Sequence, residues 1–249
     1  MRVGFLGCGK IGRKMLNELL TMEGHEVSFI QDIVFDGEAP CPVVSSADEA
    51  LLKTTDLVIE SATSAVLKAN IDSILKHCDL MLFSVTAFAD QAFYDHVKAL
   101  MAAYGHRVFL PHGAILGIDG IADGRELITS VSIETTKSPA SLGRTDETVT
   151  VLYEGSTRGA CEAYPRNVNV HAAVALAGIG FDKTQSRIIA DPSVNTNTHK
   201  IIVDGEGIHF ELNISSFSTG GVTGKYTPYS AVASMKKVLG GETGSFLFV

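Results

Sequence analysis

The sequence predicts an α/β protein in two parts, a parallel sheet with helices on both faces followed by a mixed α+β region. Three observations carry that prediction. Short apolar runs alternate with helical patterns from the first residue to about position 110. A glycine-rich turn joins the first strand to the first helix. Beyond Pro111 the apolar spacing changes to period two, as in half-buried antiparallel strands.

The elements follow in order. "RVGFLG" reads as a buried strand and "KIGRKMLNELLTM" as a helix with apolar residues at helical intervals. "HEVSFIQD" is a second strand, and "SADEALLKT" starts a helix capped by Ser46 with Glu49 three residues on. "DLVIESA" is a third strand, "SAVLKANIDSILKHC" a helix, "LMLFSVTAF" a fourth strand, "QAFYDHVKALMAAYG" a helix and "RVFLP" a fifth strand. In the second part "ITSVSIETTKS" and "ETVTVLYEGS" are strands, "NVNVHAAVALAGIG" is a helix, and "QSRIIADPSV" and "HKIIVDGEGIHFELNIS" are further strands. "TPYSAVASMKKVLGG" closes the pattern as a helix ended by glycine. The expected boundaries are a dinucleotide-binding domain over 1–111, a second domain over 112–222, and a helix within 223–249 that returns to the first domain.

Composition narrows the function classes. A chain of 249 residues, 45% of them hydrophobic, can bury a substantial core. A formal net charge of −8 argues against nucleic acid or an anionic membrane as partner, since both select basic faces. No uninterrupted apolar run approaches the length of a membrane span, and the N-terminal residues lack a basic-then-apolar leader, so a soluble cytoplasmic protein is expected. Cys8, Cys41, Cys78 and Cys161 are scattered without C-x-x-C spacing, so neither a disulfide framework nor a metal site is expected.

"VGFLGCGKIG" places Gly7, Gly9 and Gly12 in the G-x-G-x-x-G pattern between a strand and a helix, and the second strand ends at Asp32. That context makes the glycines a dinucleotide fingerprint. Gly7 permits the tight turn, Gly9 lets backbone amides approach a pyrophosphate, and Gly12 lets the helix pack on the strand. Lys10 and Ile11 open the helix whose N-terminus favours an anion. Asp32 can accept hydrogen bonds from ribose hydroxyls and repels a 2′-phosphate, which favours NAD over NADP, although NADP is kept as a candidate. Strand ends should supply further contacts: Ala62 and Thr63 after the third strand, Ser84 and Val85 at the end of the fourth.

Taken together, "GCGKIG", "SVTAFAD", "FLPHGAILGIDG", "SIETTKSPASLG", "YPRNVNV" and "IIADPSVNTNTH" resemble the L-aspartate dehydrogenase family, in order along the chain to about position 214. The resemblance implies a Rossmann domain plus an α+β domain with an open-faced mixed β-sheet, akin in fold to homoserine dehydrogenase and dihydrodipicolinate reductase. It implies a homodimer, and oxidative deamination of L-aspartate to iminoaspartate, drawn off for NAD biosynthesis or hydrolysed to oxaloacetate and ammonia. It matches the family's catalytic histidine to His199, and its nicotinamide-end contacts to Ala114 and Asn169. Two stretches depart from the family pattern. "HGAILG" has His112 and Leu116 where the family has S-G-A-I-G-G, and "SSFSTGGVTGKYTPYS" lacks the motif P-S-x-x-N-P-K-T-S, with Lys225 and Thr227 standing in for its Lys and Thr.

The chemistry explains the need for a base. Hydride leaves Cα only from a neutral amine, and imidazole is suited to taking the proton from the ammonium. His171, in an apolar helical stretch, reads as a packed or cofactor-adjacent structural residue. His25, His77, His96 and His106 fall at element ends and read as surface residues. A dicarboxylate needs donors at both ends, and the candidates are His112, Asn195, Asn197, Thr198 and Lys225. Arg166 and Lys137 are further cations that serve either the substrate or the surface. The alternatives are a dehydrogenase or imine reductase for another amino acid, and a non-catalytic NAD-binding sensor.

Overall fold

The structure is a computed structural model in which residues 1–217 and 224–241 are described. The chain forms two compact units. The first comprises Met1–Ala87, Gln91–Pro111 and the residues from Pro228 onward; the second comprises Phe88–Asp90 and His112–Thr227. The boundary expected between 222 and 223 lies outside the described residues.

The first unit is built on β1 (Arg2–Leu6), β2 (Glu26–Gln31), β3 (Val43–Val44), β4 (Leu57–Glu60), β5 (Asp79–Leu82) and β6 (Val108–Phe109). These strands make one parallel sheet in the order β3-β2-β1-β4-β5-β6. The connecting helices are α1 (Lys10–Leu19), α2 (Glu49–Lys53), α3 (Ser64–Leu75) and α4 (Gln91–Tyr104). Strands β1, β4 and β5 are apolar almost throughout because helices cover both faces. Val3, Phe5, Leu57, Ile59 and Met81 are all fully buried, each stabilising by about 1.5–3 kcal/mol relative to exposure. Strand order reverses between β1 and β4, which fixes where a ligand meets the carboxyl ends of the strands.

The second unit contains α5 (Ile118–Asp123), β7 (Ile128–Lys137), β8 (Thr150–Ser156), α6 (Thr157–Ala163), α7 (Asn169–Ala177), β9 (Gln185–Ala190), β10 (Thr196–Gly205) and β11 (Ile208–Phe217). Its sheet has the order β11-β10-β7-β9-β8, with β7 and β9 parallel and the other pairs antiparallel. One face of β7 and β10 carries Val131, Ile133, Ile201 and Val203, all 2% exposed or less, and Val174 and Ala177 of α7 join the same core. Finally, α8 (Thr227–Val238) places Ala231, Val232 and Met235 in the core of the first unit beside Met15 and Leu19.

Several local expectations are corrected. The strand read in "LMLFSVTAF" ends at Leu82, and Val85–Ala89 form a 3-10 turn. The Glu60 carboxylate accepts the amides of Phe83 and Ser84 where the strand gives way to that turn. The second helix is capped by Asp48, whose carboxylate accepts the Leu51 amide, and not by Ser46. β10 begins at Thr196, three residues before the strand read from His199, and alternates inward and outward from there. The two-residue β3 adds an edge strand that the sequence pattern did not announce. The parallel pairing of β7 with β9 among antiparallel neighbours makes this the mixed sheet expected of the second part.

Candidate active site

Two groups of candidate residues are built, one in each unit. In the first, Gly7 follows β1 with φ +83°, and a Cβ there would lie 2.7 Å from the Ala62 side chain. At Gly12 a Cβ would lie 2.7 Å from both the Gly7 carbonyl and the Ser61 hydroxyl. Only glycine satisfies either position. At Gly9, by contrast, a Cβ would meet nothing within 4 Å among the described residues, so they leave open space over the helix start. The first intrahelical bond runs from Arg13 N–H to Gly9 O, at 2.8 Å, so the preceding amides have no intrahelical acceptor and favour an anion. Asp32 sits beside this loop and accepts the Cys8 amide at 2.7 Å and the Val34 amide at 2.8 Å. This arrangement fits a dinucleotide: open space above glycine, a helix N-terminus, and a carboxylate at the end of β2.

The neighbouring candidates divide. Lys10 is exposed and Ile11 half-buried at the first positions of α1. Ala62 packs against Gly7, and Thr63 caps α3 by accepting the Val66 amide. Ser84 is 5% exposed, and its hydroxyl donates to Glu60 at 2.7 Å, so that hydrogen is spent on a protein carboxylate and not held for a ligand. Val85 is buried in the turn that follows. Glu60 is fully buried; burial pushes its carboxyl up while the amides of Ala62, Phe83 and Ser84 and the Ser84 hydroxyl pull it down.

In the second unit the inward face of β7 and β10 changes character along its length. After Val131 and Ile133 come Thr135 and Lys137; before Ile201 and Val203 come Asn197 and His199. Strand alternation puts all eight on one face, apolar at one end and polar at the other. His199 pairs directly with Thr135 across the strands and is 4% exposed. Its Nδ1 lies 2.8 Å from Thr135 Oγ1, which lies 2.7 Å from Nε2 of His171 on α7. Burial first, and the Lys137 charge second, push the His199 imidazole down to about 3. His171, fully buried, is held well below the usual range, chiefly by burial. Lys137 is 3% exposed, and burial pushes its ammonium down to about 8. Among the described residues no carboxylate forms an ion pair with it.

The remaining candidates scatter. Asn197 is buried on the same face as His199. Thr198 points to the opposite face, its hydroxyl 2.8 Å from Ser215 of β11, which withdraws that side chain from the group around His199. Asn195 is exposed before β10, and Lys225 is exposed before α8. Nδ1 of His112 lies 3.0 Å from the Ile115 carbonyl, in a turn where Gly113 has φ +59° and Ala114 is half-buried. Asn169 is the first residue of α7 and is half-buried. Two residues earlier, the buried Oδ1 of Asn167 has no hydrogen-bond partner among the described residues, an acceptor that the sequence reading passed over.

Arg166 is exposed, as a surface charge would be, but Lys137 is not. The available signal was its phase, two residues from Thr135 and four from Ile133 on a strand whose alternate residues are buried.

Comparison with known proteins follows the same division. A family model described as the NAD binding domain of homoserine dehydrogenase matches residues 7–111. One described as the C-terminal part of aspartate dehydrogenase matches residues 119–238. The L-aspartate dehydrogenase of Methanosarcina acetivorans is 33% identical over 96% of this chain and 97% of its own length. That of Archaeoglobus fulgidus is 35% identical, covering 86% of each chain. The crystal structure of aspartate dehydrogenase from Thermotoga maritima superposes with a TM-score of 0.81 at 27% identity, covering 100% of this chain and 99% of that one. A dihydrodipicolinate reductase from Paenisporosarcina shares the fold at a TM-score of 0.54 and 16% identity, covering 95% of this chain and 92% of its own.

Proposed function

The chain belongs to the L-aspartate dehydrogenase family and is an NAD(P)-dependent oxidoreductase, and on that premise we propose that it oxidises L-aspartate to iminoaspartate, with His199 as acid and base. NAD, when bound, supplies the acceptor for the Cα hydride. The Gly7–Gly12 turn would hold the pyrophosphate, with Lys10, Ile11, Ala62 and Thr63 beside it and Asp32 on the adenosine ribose. Asp32 is the reason to favour NAD over NADP, since its carboxylate repels a 2′-phosphate. Ala114 and Asn169 are proposed for the nicotinamide end.

Lys137 carries the substrate assignment. A buried ammonium without a carboxylate costs free energy until an anion meets it. A carboxylate of the substrate is that anion. Its arrival would offset the charge that, with burial, holds the His199 imidazole down to about 3. The base therefore gains proton affinity when an acidic amino acid is in place. His199 then takes a proton from the substrate ammonium, and the freed lone pair forms the C=N bond as hydride leaves Cα. The imine hydrolyses to oxaloacetate and ammonia. In the reverse direction the iminium carbon takes the hydride and the protonated ring returns its proton to the amine so formed. Asn197, on the same face, and His112, Asn195 and Lys225 are proposed for the other polar groups of the substrate.

Reduced-nicotinamide formation across aspartate, asparagine, glutamate and alanine, each with NAD and with NADP, tests this reading. Turnover should be greatest with aspartate and NAD. Turnover confined to amino acids with one carboxylate would overturn the substrate, and a preference for NADP would overturn the role given to Asp32.

A further inference from the structure

His199 is the visible end of a longer chain of buried side chains. Thr135 Oγ1 links His199 Nδ1, at 2.8 Å, to His171 Nε2, at 2.7 Å. His171 Nδ1 lies 2.9 Å from Ser186 Oγ on β9, and Ser186 Oγ lies 2.7 Å from Thr157 Oγ1 at the first position of α6. Thr157 Oγ1 also lies 3.1 Å from the carbonyl oxygen of Thr184. Thr135 and Ser186 are 1% exposed, and His171 and Thr157 are fully buried. Five elements, β10, β7, α7, β9 and α6, thus contribute one side chain each to a single dry line.

The far end of that line sets its direction. A carbonyl oxygen can only accept, so the Thr157 hydroxyl donates to Thr184 and must accept from Ser186. Ser186, having donated its one hydrogen, accepts from His171 Nδ1–H. A neutral His171 then has a lone pair at Nε2, which accepts the Thr135 hydroxyl. Thr135 in turn accepts from His199 Nδ1–H. Both imidazoles are buried and neutral, so each carries one ring hydrogen.

We infer that Thr135, His171, Ser186 and Thr157 are positioning residues that lock His199 as the Nδ1–H tautomer, leaving Nε2 as the lone pair that meets the substrate amine. Which ring nitrogen holds the hydrogen is set by the bond that the other makes. The line is also a dead end. It terminates on an acceptor and offers no exit to water, so a proton taken at Nε2 returns by Nε2. Its members polarise one another without passing the proton on. The catalytic meaning of the line rests on His199 being the base, whereas the tautomer itself does not.

Long-range proton–nitrogen NMR of the full chain, labelled at its histidines and free of substrate, reads the tautomers directly. His199 and His171 should both carry hydrogen at Nδ1. In Thr135→Val, a near-isosteric change, His199 should lose that preference. Its kcat should fall roughly 10–100-fold, as for other residues that orient a reacting group through one hydrogen bond. KM for aspartate and affinity for NAD should stay within about twofold, because the hydroxyl touches neither. Thr135→Ser keeps the hydroxyl and should restore kcat to within about threefold of the unsubstituted chain. Ser186→Ala, which does not touch His199, should lower kcat by a smaller factor and shift the His171 ring hydrogen. Nε2–H on His199 in the unsubstituted protein overturns the inference, as does a folded Thr135→Val protein with unchanged kcat. If aspartate proves not to be oxidised, the spectrum still decides the tautomer, so failure of the substrate reading and failure of the locked ring are told apart.

Discussion

The glycine turn after β1 and the polar line around His199 meet opposite demands. The turn is made of backbone, open above Gly9 and closed to any Cβ at Gly7 and Gly12. The line is made of side chains, none more than 4% exposed. A large anion needs donors that can be approached closely, and backbone amides stripped of side chains provide that. A single proton needs a fixed place, and groups shielded from water provide that. Damage to the turn should therefore appear in binding and damage to the line in turnover.

The largest test of that division is His199→Ala. Its kcat should fall about 10²–10⁴-fold, while the thermal shift on adding NAD is retained. A matching loss of NAD affinity would break the division.

Lys137→Met sharpens it, because this residue belongs to the side-chain site yet should act on binding. KM for aspartate should rise roughly 100-fold, the scale of removing a buried charge partner. Stability should move the other way. Burial pushes Lys137 from 10.5 down to about 8, so below pH 8 the folded state holds a charge that the unfolded chain carries more easily. The penalty is on the order of 3 kcal/mol and fades as pH rises from 8 to 10.5. The methionine variant should melt higher at neutral pH and lose that advantage in alkali. Equal melting temperatures would mean that the ammonium already has an anion.

A smaller effect is expected at the turn. Gly7→Ala forces an L side chain to φ +83° against Ala62, a strain of about 1–3 kcal/mol. NAD should bind roughly 10-fold more weakly, with kcat at saturating NAD changed less than about threefold. An unchanged Kd with lowered kcat would reverse the two regions' roles.

The smallest effect at neutral pH, growing in acid, concerns the buried imidazoles. His199 and His171 both titrate below their ordinary 6.5 when folded. Below pH 6.5, and for His199 down to about 3, the unfolded state binds more protons, so stability is intact above 6.5 and lost as pH falls. Each ring contributes up to about 1.4 kcal/mol per pH unit. Urea midpoints at pH 7 and pH 5 should diverge, and His199→Ala should reduce the divergence.

The two regions were also unequally legible in the sequence. Gly7, Gly9, Gly12 and Asp32 lie within 26 consecutive residues, so a short local spacing reports them together. His199 was identified through resemblance, and the extension of its strand back to Thr196 was not, because "NTNT" contains no large apolar residue to mark a strand. The partners were invisible for a different reason. Thr135 is 64 positions from His199 and 36 from His171, and nothing local in "IETTKS" says which strand lies opposite. Lys137 shows the same limit, since its burial follows from the phase of β7 and the helix laid over it. The side chain of Thr198 is turned from the group around His199 by phase alone, one residue away and therefore on the other face.

The placement of α8 has a consequence for biosynthesis. Ala231, Val232 and Met235 complete a core begun by Val3 and Phe5, and Lys236 pairs with Glu18 at 2.8 Å. On the ribosome, the stretch from His112 to Thr227 has therefore emerged in full before the core containing Val3 can close. The nascent chain should acquire its histidine-bearing sheet first, with the nucleotide-binding layer waiting open for a helix encoded more than 200 codons after its first strand.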